Sequence, residues 1–268
     1  MRSTTVKLIA ASLTVALVLA GVSLLVAPRA SANDHVEQAA ACTETPTVGW
    51  TDHRLLLVVG ASFTAGIGPD NPSANWAVRL GQLLDWRAVT YGVPGEGYSS
   101  PGVHHLGPLL KLFYRIDLAS LHPDLIIVQA GHNDWRVPPA LEAHRVAALV
   151  RYLRGEAPYA RLAFLTAFSG AERGAHTLRW VSRANSTIVR AIKAADPNAT
   201  IINPYDWRFP RAADGLHPTA GGDSVIAHRV LHVLTSDGLP TTPVTTPAVQ
   251  SSAKVSCSAL ERSMPASA

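Results

Sequence analysis

The chain has few charged residues, and it has no long run of charges of one sign. Asp, Glu, Lys and Arg together make up 16% of its 268 residues, whereas hydrophobic residues make up 47%. This balance excludes an intrinsically disordered chain and a coiled coil. The net charge of +4 comes from scattered residues, without the Lys/Arg stripe that is typical of nucleic-acid binding. We therefore expect a globular protein with no nucleic-acid partner.

Arginine supplies much of the positive excess, mainly between Arg136 and Arg211, where it is mixed with apolar residues. The simplest interpretation is that these arginines lie on the solvated faces of helices. Attraction to an anionic cell surface or to an acidic polymer is the alternative, so an association with the cell envelope stays open.

Cysteine is scarce, because Cys42 and Cys257 are the only two in the sequence. They lie near opposite ends of the chain, and a disulfide between them would close a loop of almost its full length. The loop-entropy model gives such a bridge roughly 4–5 kcal/mol of stabilisation. We expect the two to pair in an oxidising compartment, and two unrelated thiols are the alternative.

A single long apolar run lies at the N-terminus. Arg2 and Lys7 precede the uncharged residues 8–27, and Ala30-Ser31-Ala32 offers the small residues that a signal peptidase requires. We expect residues 1–32 to be a cleaved signal peptide and the protein to be secreted or held in the cell envelope. Retention as a membrane anchor is the alternative, because a run of about 20 apolar residues can span a bilayer.

Strands and helices are predicted to alternate from residue 55 onward. The strands are expected at 55–59, 88–91, 124–129, 160–167 and 200–203, and the helices at 73–85, 106–113, 138–154, 174–195 and 220–234. This rhythm predicts an α/β fold, a three-layer α/β/α sandwich around a five-stranded parallel sheet. The domain would cover residues 54–238, between an irregular lead-in at 33–53 and a Pro/Thr/Ser-rich tail at 239–268.

A serine follows the first predicted strand, in the run Gly60-Ala61-Ser62. A serine in this position is most often a helix cap. A serine hydroxyl becomes an effective nucleophile only with a base nearby and with donors for the oxyanion that it creates. The Gly-x-Ser-x-Gly elbow of α/β-hydrolases is absent, because Thr64 stands at the second glycine position.

The candidate base lies near the C-terminus, in the motif Asp214-x-x-His217. This spacing allows the carboxylate to hold one imidazole nitrogen while the other faces the serine. A simple turn is the alternative, since Asp214 precedes a glycine and a proline follows His217.

Two further residues are candidate oxyanion donors, one in each of two loops that follow predicted strands. Gly95 would offer a backbone N–H, with Gly97 as the alternative, and Asn133 would offer its side-chain amide. Taken singly, a glycine of this kind is usually a turn residue and such an asparagine a cap.

In their order and spacing these segments resemble the hallmark blocks of the SGNH hydrolases, the GDSL esterase and lipase family. The matching segments are Gly60-Ala61-Ser62, Gly92-Val93-Pro94-Gly95, Gly131-His132-Asn133-Asp134 and Asp214-Gly215-Leu216-His217-Pro218. The resemblance implies a flavodoxin-like sandwich. It also implies Ser62, Asp214 and His217 as catalytic residues and an oxyanion hole formed by Ser62, Gly95 and Asn133. It implies no metal and no organic cofactor.

One residue departs from the family pattern. The serine block usually reads Gly-Asp-Ser, and Ala61 replaces the aspartate here. We expect activity to be retained, and the departure leaves open what orients the serine loop.

Other features favour simple interpretations. His228 and His232 are four residues apart on a predicted helix and have no third metal ligand in view, so a solvated helix face is expected. Trp135, Tyr205 and Trp207 are placed either to contact substrate or to pack in the core.

The resulting prediction is an exported serine esterase that acts, as a monomer, on acyl esters of lipid or carbohydrate. One alternative is an acyltransferase of the same fold. Another, motivated by Ala61, is a catalytically silent domain that binds glycan or lipid.

Overall fold

The structure, a computed structural model, describes residues 41–44, 54–69, 74–170 and 175–240. The predicted signal peptide, nearly all of the predicted tail and Cys257 lie outside these residues, so the expectations about them stay predictions. Within the described ranges, no helix combines the length and the apolar character needed to cross a membrane.

The central feature is a six-stranded sheet in which the five strands predicted from the sequence all run parallel. Its strands are β1 (Ala41–Glu44), β2 (Leu55–Gly60), β3 (Arg87–Gly92), β4 (Leu125–Gln129), β5 (Arg161–Leu165) and β6 (Thr200–Ile202). They lie in the order β1-β3-β2-β4-β5-β6, and neighbours from β3 through β6 run parallel. The predicted parallel sheet is confirmed, with its strands displaced from the predicted bounds by at most two residues.

The sixth strand, β1, was not expected. The prediction of an irregular lead-in over 33–53 is wrong for Ala41–Glu44, which pairs antiparallel with β3 and sets Cys42 opposite Tyr91. Four residues of mixed character give no alternating pattern, so the sequence carries no strand signal there. The strand forms because the outer edge of β3 offers unpaired backbone groups.

Helices cover both faces of the sheet. They are α1 (Trp76–Leu84), α2 (Leu109–Phe113), α3 (Leu118–Leu121), α4 (Pro139–Glu156), α5 (Ala175–Ala195) and α6 (Ala220–Ser236). The Asn75 side chain caps α1 by accepting the backbone N–H groups of Ala77 and Val78. The predicted helices are confirmed apart from their ends. The one-turn α3 and a short 3-10 helix at Val103–His105 were not predicted.

Alternate residues of β2 enter two separate cores, which explains why this strand is apolar throughout. Leu57 and Val59 pack with side chains of α4 and α5, whereas Leu56 and Val58 pack with side chains of α1 and α6. Burying each such side chain stabilises the fold by about 1.5–3 kcal/mol. Because both faces are covered, every position of this strand favours an apolar residue.

The strand order places three loops together at one edge of the sheet. The chain passes from β2 to β3 on one side and later to β4 on the other, so β2 lies at the point where the order reverses. Gly60, Gly92 and Gln129 occupy one level of the sheet, at the carboxyl ends of these strands. Ligand sites of open α/β sheets form at such switch points.

Candidate active site

Ser62 lies in a tight turn directly after β2. The backbone N–H groups of Thr64 and Ala65 both donate to the Ala61 carbonyl, at 3.0 and 2.9 Å, and the Ile67 N–H donates to the Ser62 carbonyl at 3.0 Å. The turn therefore fixes the backbone around the serine and leaves its hydroxyl at the edge of the sheet.

The structure brings Ser62, His217 and Asp214 into one chain of hydrogen bonds. His217 Nε2 lies 2.8 Å from Ser62 Oγ, and His217 Nδ1 lies 2.5 Å from Asp214 Oδ2. The imidazole side chain is 13% exposed and the carboxylate 20%, so solvent reaches the pair only in part. This arrangement suits transfer of the serine proton to the imidazole.

The Asp214 carboxylate also organises its own turn. Its second oxygen accepts the backbone N–H groups of Leu216 and His217, at 2.9 and 3.0 Å. Partial burial acts to raise the pKa of Asp214, but the hydrogen bonds from the His217 side chain and from the two backbone groups outweigh it and lower that pKa overall. The motif therefore forms a turn, and the same carboxylate that closes the turn also contacts the His217 imidazole.

Two neighbours position the imidazole. The Phe63 ring packs against His217 with 5.2 Å between ring centroids, and it stacks on Phe168 at 4.3 Å. Gly68, at φ +110°, lies under the His217 loop, where a Cβ would come within 2.3 Å of the Pro218 carbonyl oxygen. The close approach of the serine and histidine loops therefore requires glycine at position 68.

Asn133 reaches the Gly95 loop through a direct hydrogen bond. Its Nδ2 donates to the Glu96 carbonyl at 2.7 Å, which fixes the orientation of the amide and leaves its other N–H for a ligand. Among the described residues, the backbone N–H groups of Ser62 and Gly95 donate to no protein acceptor. All three predicted oxyanion donors thus have an N–H that is available to a ligand.

Gly97, the alternative donor, has a different role. Its N–H is engaged with the Ser100 carbonyl at 3.1 Å. A Cβ at Gly97 would lie 2.3 Å from the Asp134 carboxylate, so the glycine is required by close packing. Between the two glycines, the hydrogen bonds favour Gly95 as the donor.

Asp134 fixes the Gly95 loop through hydrogen bonds to its backbone, a role that the sequence did not predict. The buried carboxylate accepts the backbone N–H of Tyr98 at 2.8 Å and those of Ser99 and Ser100 at 3.0 Å each. Burial raises the pKa of Asp134, although these three hydrogen bonds oppose the shift. Asn133 and Asp134 together therefore tie this loop to the end of β4.

Gln129 holds the serine loop in a comparable way. Its buried side-chain oxygen accepts the Ala61 N–H at 3.1 Å and the Thr64 hydroxyl at 3.0 Å. Its backbone carbonyl also accepts the Ala61 N–H, at 3.1 Å. The loop that lacks the usual aspartate at position 61 is therefore tethered to β4. In the sequence, the available sign of this tether was that the apolar strand β4 ends in a polar residue, Gln129.

Two further buried acids lie around the Gly95 loop. Burial, reinforced by the charge of Asp134, raises the pKa of Glu96 to about 9 and that of Glu142 to about 8. Ser99 Oγ donates to Glu142 at 3.2 Å. Both acids therefore favour the protonated form at neutral pH.

The structure decides among the remaining candidates. His228 and His232 are exposed on α6, and the described ranges contain no group of three or more His, Cys, Asp or Glu side chains that could hold a metal ion. Trp207 is half-buried and packs edge to face against Phe168 of the core, with 6.3 Å between ring centroids. Tyr205 donates its hydroxyl to a backbone carbonyl at 3.1 Å. Trp135, however, is half-buried beside the Asn133 turn.

The fold is a flavodoxin-like sandwich, and at its switch point a serine, a histidine and an aspartate form one hydrogen-bonded chain. Together these two features define a class of protein, the SGNH-type serine hydrolases. The sequence agrees, because residues 58–225 match the model of the GDSL-like lipase/acylhydrolase family. The chain belongs to this family, and it is thereby a hydrolase of acyl esters. A comparison with curated proteins found no match.

Solved structures share the fold at low sequence identity. A carbohydrate esterase family 2 enzyme with a carbohydrate-binding domain from Corynascus thermopiles (Myceliophthora fergusii) is 16% identical, with a TM-score of 0.58 over 69% of this chain and 67% of that one. A family two carbohydrate esterase from Cellvibrio japonicus is 19% identical, with a TM-score of 0.57 over 69% of this chain and 62% of that one. TesA is 22% identical, with a TM-score of 0.54 over 69% of this chain and 99% of that one.

Proposed function

We propose that this chain is an exported serine esterase that hydrolyses carboxylic esters of lipid or carbohydrate through an acyl-enzyme on Ser62. The observation that carries the proposal is the hydrogen-bonded chain from Ser62 Oγ through His217 to Asp214. Family membership supports ester hydrolysis, and the low exposure of the imidazole supports its role as a base.

The first half of the reaction forms the acyl-enzyme. His217 Nε2 takes the proton of Ser62 as Oγ attacks the ester carbonyl carbon. The backbone N–H groups of Ser62 and Gly95 and the Asn133 amide hold the oxyanion, and one such donor is worth about 2.7–4 kcal/mol. The tetrahedral intermediate then collapses, and the alcohol leaves with the proton that His217 returns.

The second half releases the acid. Water attacks the acyl carbonyl while His217 takes its proton, and Ser62 leaves with that proton when the second intermediate collapses. Asp214 keeps the imidazole in the tautomer whose Nε2 accepts, and it stabilises the imidazolium that forms in each half.

The direct test measures ester turnover by the full chain. Wild-type protein should release p-nitrophenol from short-chain or long-chain acyl esters, and a fluorophosphonate should label Ser62. The Ser62→Ala variant should do neither. No turnover of any ester, together with no labelling, would overturn the proposal.

Export and the disulfide are proposed on the sequence pattern described above. N-terminal sequencing of protein recovered from the medium or the envelope should begin at Asn33. The intact mass should rise by the mass of two hydrogen atoms on reduction if Cys42 and Cys257 pair. A chain that still begins at its first residues would instead indicate a membrane anchor.

A further inference from the structure

Beside the Asn133 turn, four side chains form a stacked row that the mechanism does not use. Trp135 and Trp180 meet edge to face, with 6.4 Å between ring centroids. The Arg136 guanidinium carbon lies 4.1 Å from the centroid of Trp135, and that of Arg183 lies 4.0 Å from the centroid of Trp180. We name this row Arg136–Trp135–Trp180–Arg183 the arginine–tryptophan ladder.

The ladder lies at the same edge of the sheet as the triad. Trp135 follows the candidate oxyanion donor Asn133 by two residues. Trp180 is in the first half of α5, and a helix of an α/β unit begins near the carboxyl end of the strand before it. The hydroxyl of Tyr205, from the loop after β6, donates to the Leu178 carbonyl, so another loop of that edge meets the same part of α5.

The two guanidinium groups of the ladder form no ion pair with a carboxylate of the described residues. Arg136 and Arg183 are exposed, and in the described part of the chain no carboxylate lies within 4.0 Å of either guanidinium. A guanidinium that stacks on an indole keeps its N–H donors at its edge, in the fork that matches a carboxylate. Stacking also orders the long side chain beforehand, so less conformational entropy is lost on binding.

The half-exposed indoles add an apolar surface between the two charges. Trp135 and Trp180 are both half-buried, and an indole edge beside a fixed cation suits a molecule with an apolar face and an anionic group. A sugar ring that bears a carboxylate has both features, whereas a plain acyl chain has no group for the guanidinium forks.

We propose that the ladder is a subsite for the alcohol part of the substrate, and that this alcohol is an acidic carbohydrate, an acylated glycan that carries carboxylate groups. The inference rests on the proposed esterase function. The guanidinium of Arg136 or Arg183 pairs with the sugar carboxylate, and the indoles contact the ring. An acyl ester on a neighbouring oxygen of the sugar is thereby brought to Ser62.

Binding is tested separately from hydrolysis, in the full chain with Ser62→Ala. The probe is polygalacturonate, with xylan as the neutral comparison and anionic phospholipid vesicles as the lipid arm. The double variant Arg136→Gln/Arg183→Gln should bind polygalacturonate about 100-fold more weakly, because each charge-assisted pair contributes about tenfold. The matched control is Arg145→Gln/Arg151→Gln, which removes two exposed arginines of α4 that take no part in the ladder.

Three outcomes would overturn the proposed subsite. The first is an equal loss of polygalacturonate affinity in the ladder and control variants. The second is xylan bound as tightly as polygalacturonate, and the third is binding to vesicles without binding to the acidic glycan. With Ser62 intact, the ladder variant should lose about tenfold or more in the ratio of kcat/KM for acetylated polygalacturonate over acetylated xylan. A protein that binds the acidic glycan at the ladder but cleaves no ester would refute the esterase proposal and not the binding site.

Discussion

Replacing Gln129 by leucine tests whether the tether of the serine loop serves catalysis. Leucine is close to glutamine in size, so the change removes the side-chain acceptor and little volume. The Ala61 N–H keeps the backbone carbonyl of residue 129 as a partner, whereas the buried Thr64 hydroxyl loses the acceptor that it now has at 3.0 Å. The free energy of unfolding should therefore fall by about 1–3 kcal/mol, the cost of one buried donor left unpaired.

The effect on turnover should exceed the effect on substrate affinity. Gln129 touches no substrate in the proposed mechanism, but it fixes the backbone that carries Ser62. A displacement of a reacting group by about 1 Å can cost about 100-fold in rate, so kcat should fall by about 10- to 100-fold while KM changes little. Steady-state kinetics on a p-nitrophenyl ester and urea denaturation measure the two effects separately.

A second variant separates positioning from stability. In Gln129→Leu/Thr64→Val both partners of the lost hydrogen bond are apolar, so most of the stability should return while kcat stays low. If kcat of Gln129→Leu equals that of the wild type, or if kcat recovers with stability in the double variant, Gln129 only stabilises the fold. The positioning argument would then be refuted.

Three further predictions concern single residues. Asn133→Ala should lower kcat about 10²–10³-fold on a p-nitrophenyl ester, because one oxyanion donor is lost. Asp214→Asn should lower kcat about 10⁴-fold in the same assay, because the imidazole loses the partner that fixes its tautomer. Glu96 ionises near pH 4.5 in the unfolded chain, but burial raises its pKa to about 9 in the folded protein, so wild-type stability should fall as the pH rises between these values. The free energy of unfolding of Glu96→Gln, measured in urea from about pH 5 to 9, should fall less steeply.

Each of these has a result that contradicts it. An Asn133→Ala enzyme with a raised KM and an unchanged kcat would mean that the amide binds the ground state and not the oxyanion. Full activity of Asp214→Asn would show that the aspartate carboxylate is not needed for catalysis. Parallel stability curves for wild type and Glu96→Gln would show that the Glu96 carboxyl ionises alike in both states.

The sheet was predictable because its strands are buried on both faces. Where helices cover both sides of a parallel strand, every position favours an apolar residue, so the run Leu55–Val59 is visible without any partner. The edge strand β1 lacks this signal, because its four residues show no alternating or continuous apolar pattern and it pairs with the outer edge of β3. For the same reason β1 is the one strand among the described residues that the sequence did not predict.

The contact of Ser62 with His217 and Asp214 was predictable because each of these residues lies in a short motif directly after a strand or before α6. In a parallel sheet these loops meet at one edge, so their order along the chain already implies their proximity. The arginines of the ladder were visible only as a scattered excess of charge. Their stacking on Trp135 and Trp180 depends on how α5 packs beside the Asn133 turn, which no local pattern encodes.

The sequence by itself determined the parallel sandwich, the family and the motifs that carry Ser62, Asp214 and His217, because hydrophobic burial and short motifs leave a local record. Only the tertiary structure decided what holds the serine loop in the absence of an aspartate at position 61. That tether joins Ala61 to Gln129, which are 68 residues apart. A hydrogen bond between such distant residues requires only one acceptor at the right place, and any of many polar side chains could supply it. The pairing therefore exists only in the packed sheet, and its one trace along the chain is the polar residue that ends the apolar strand β4.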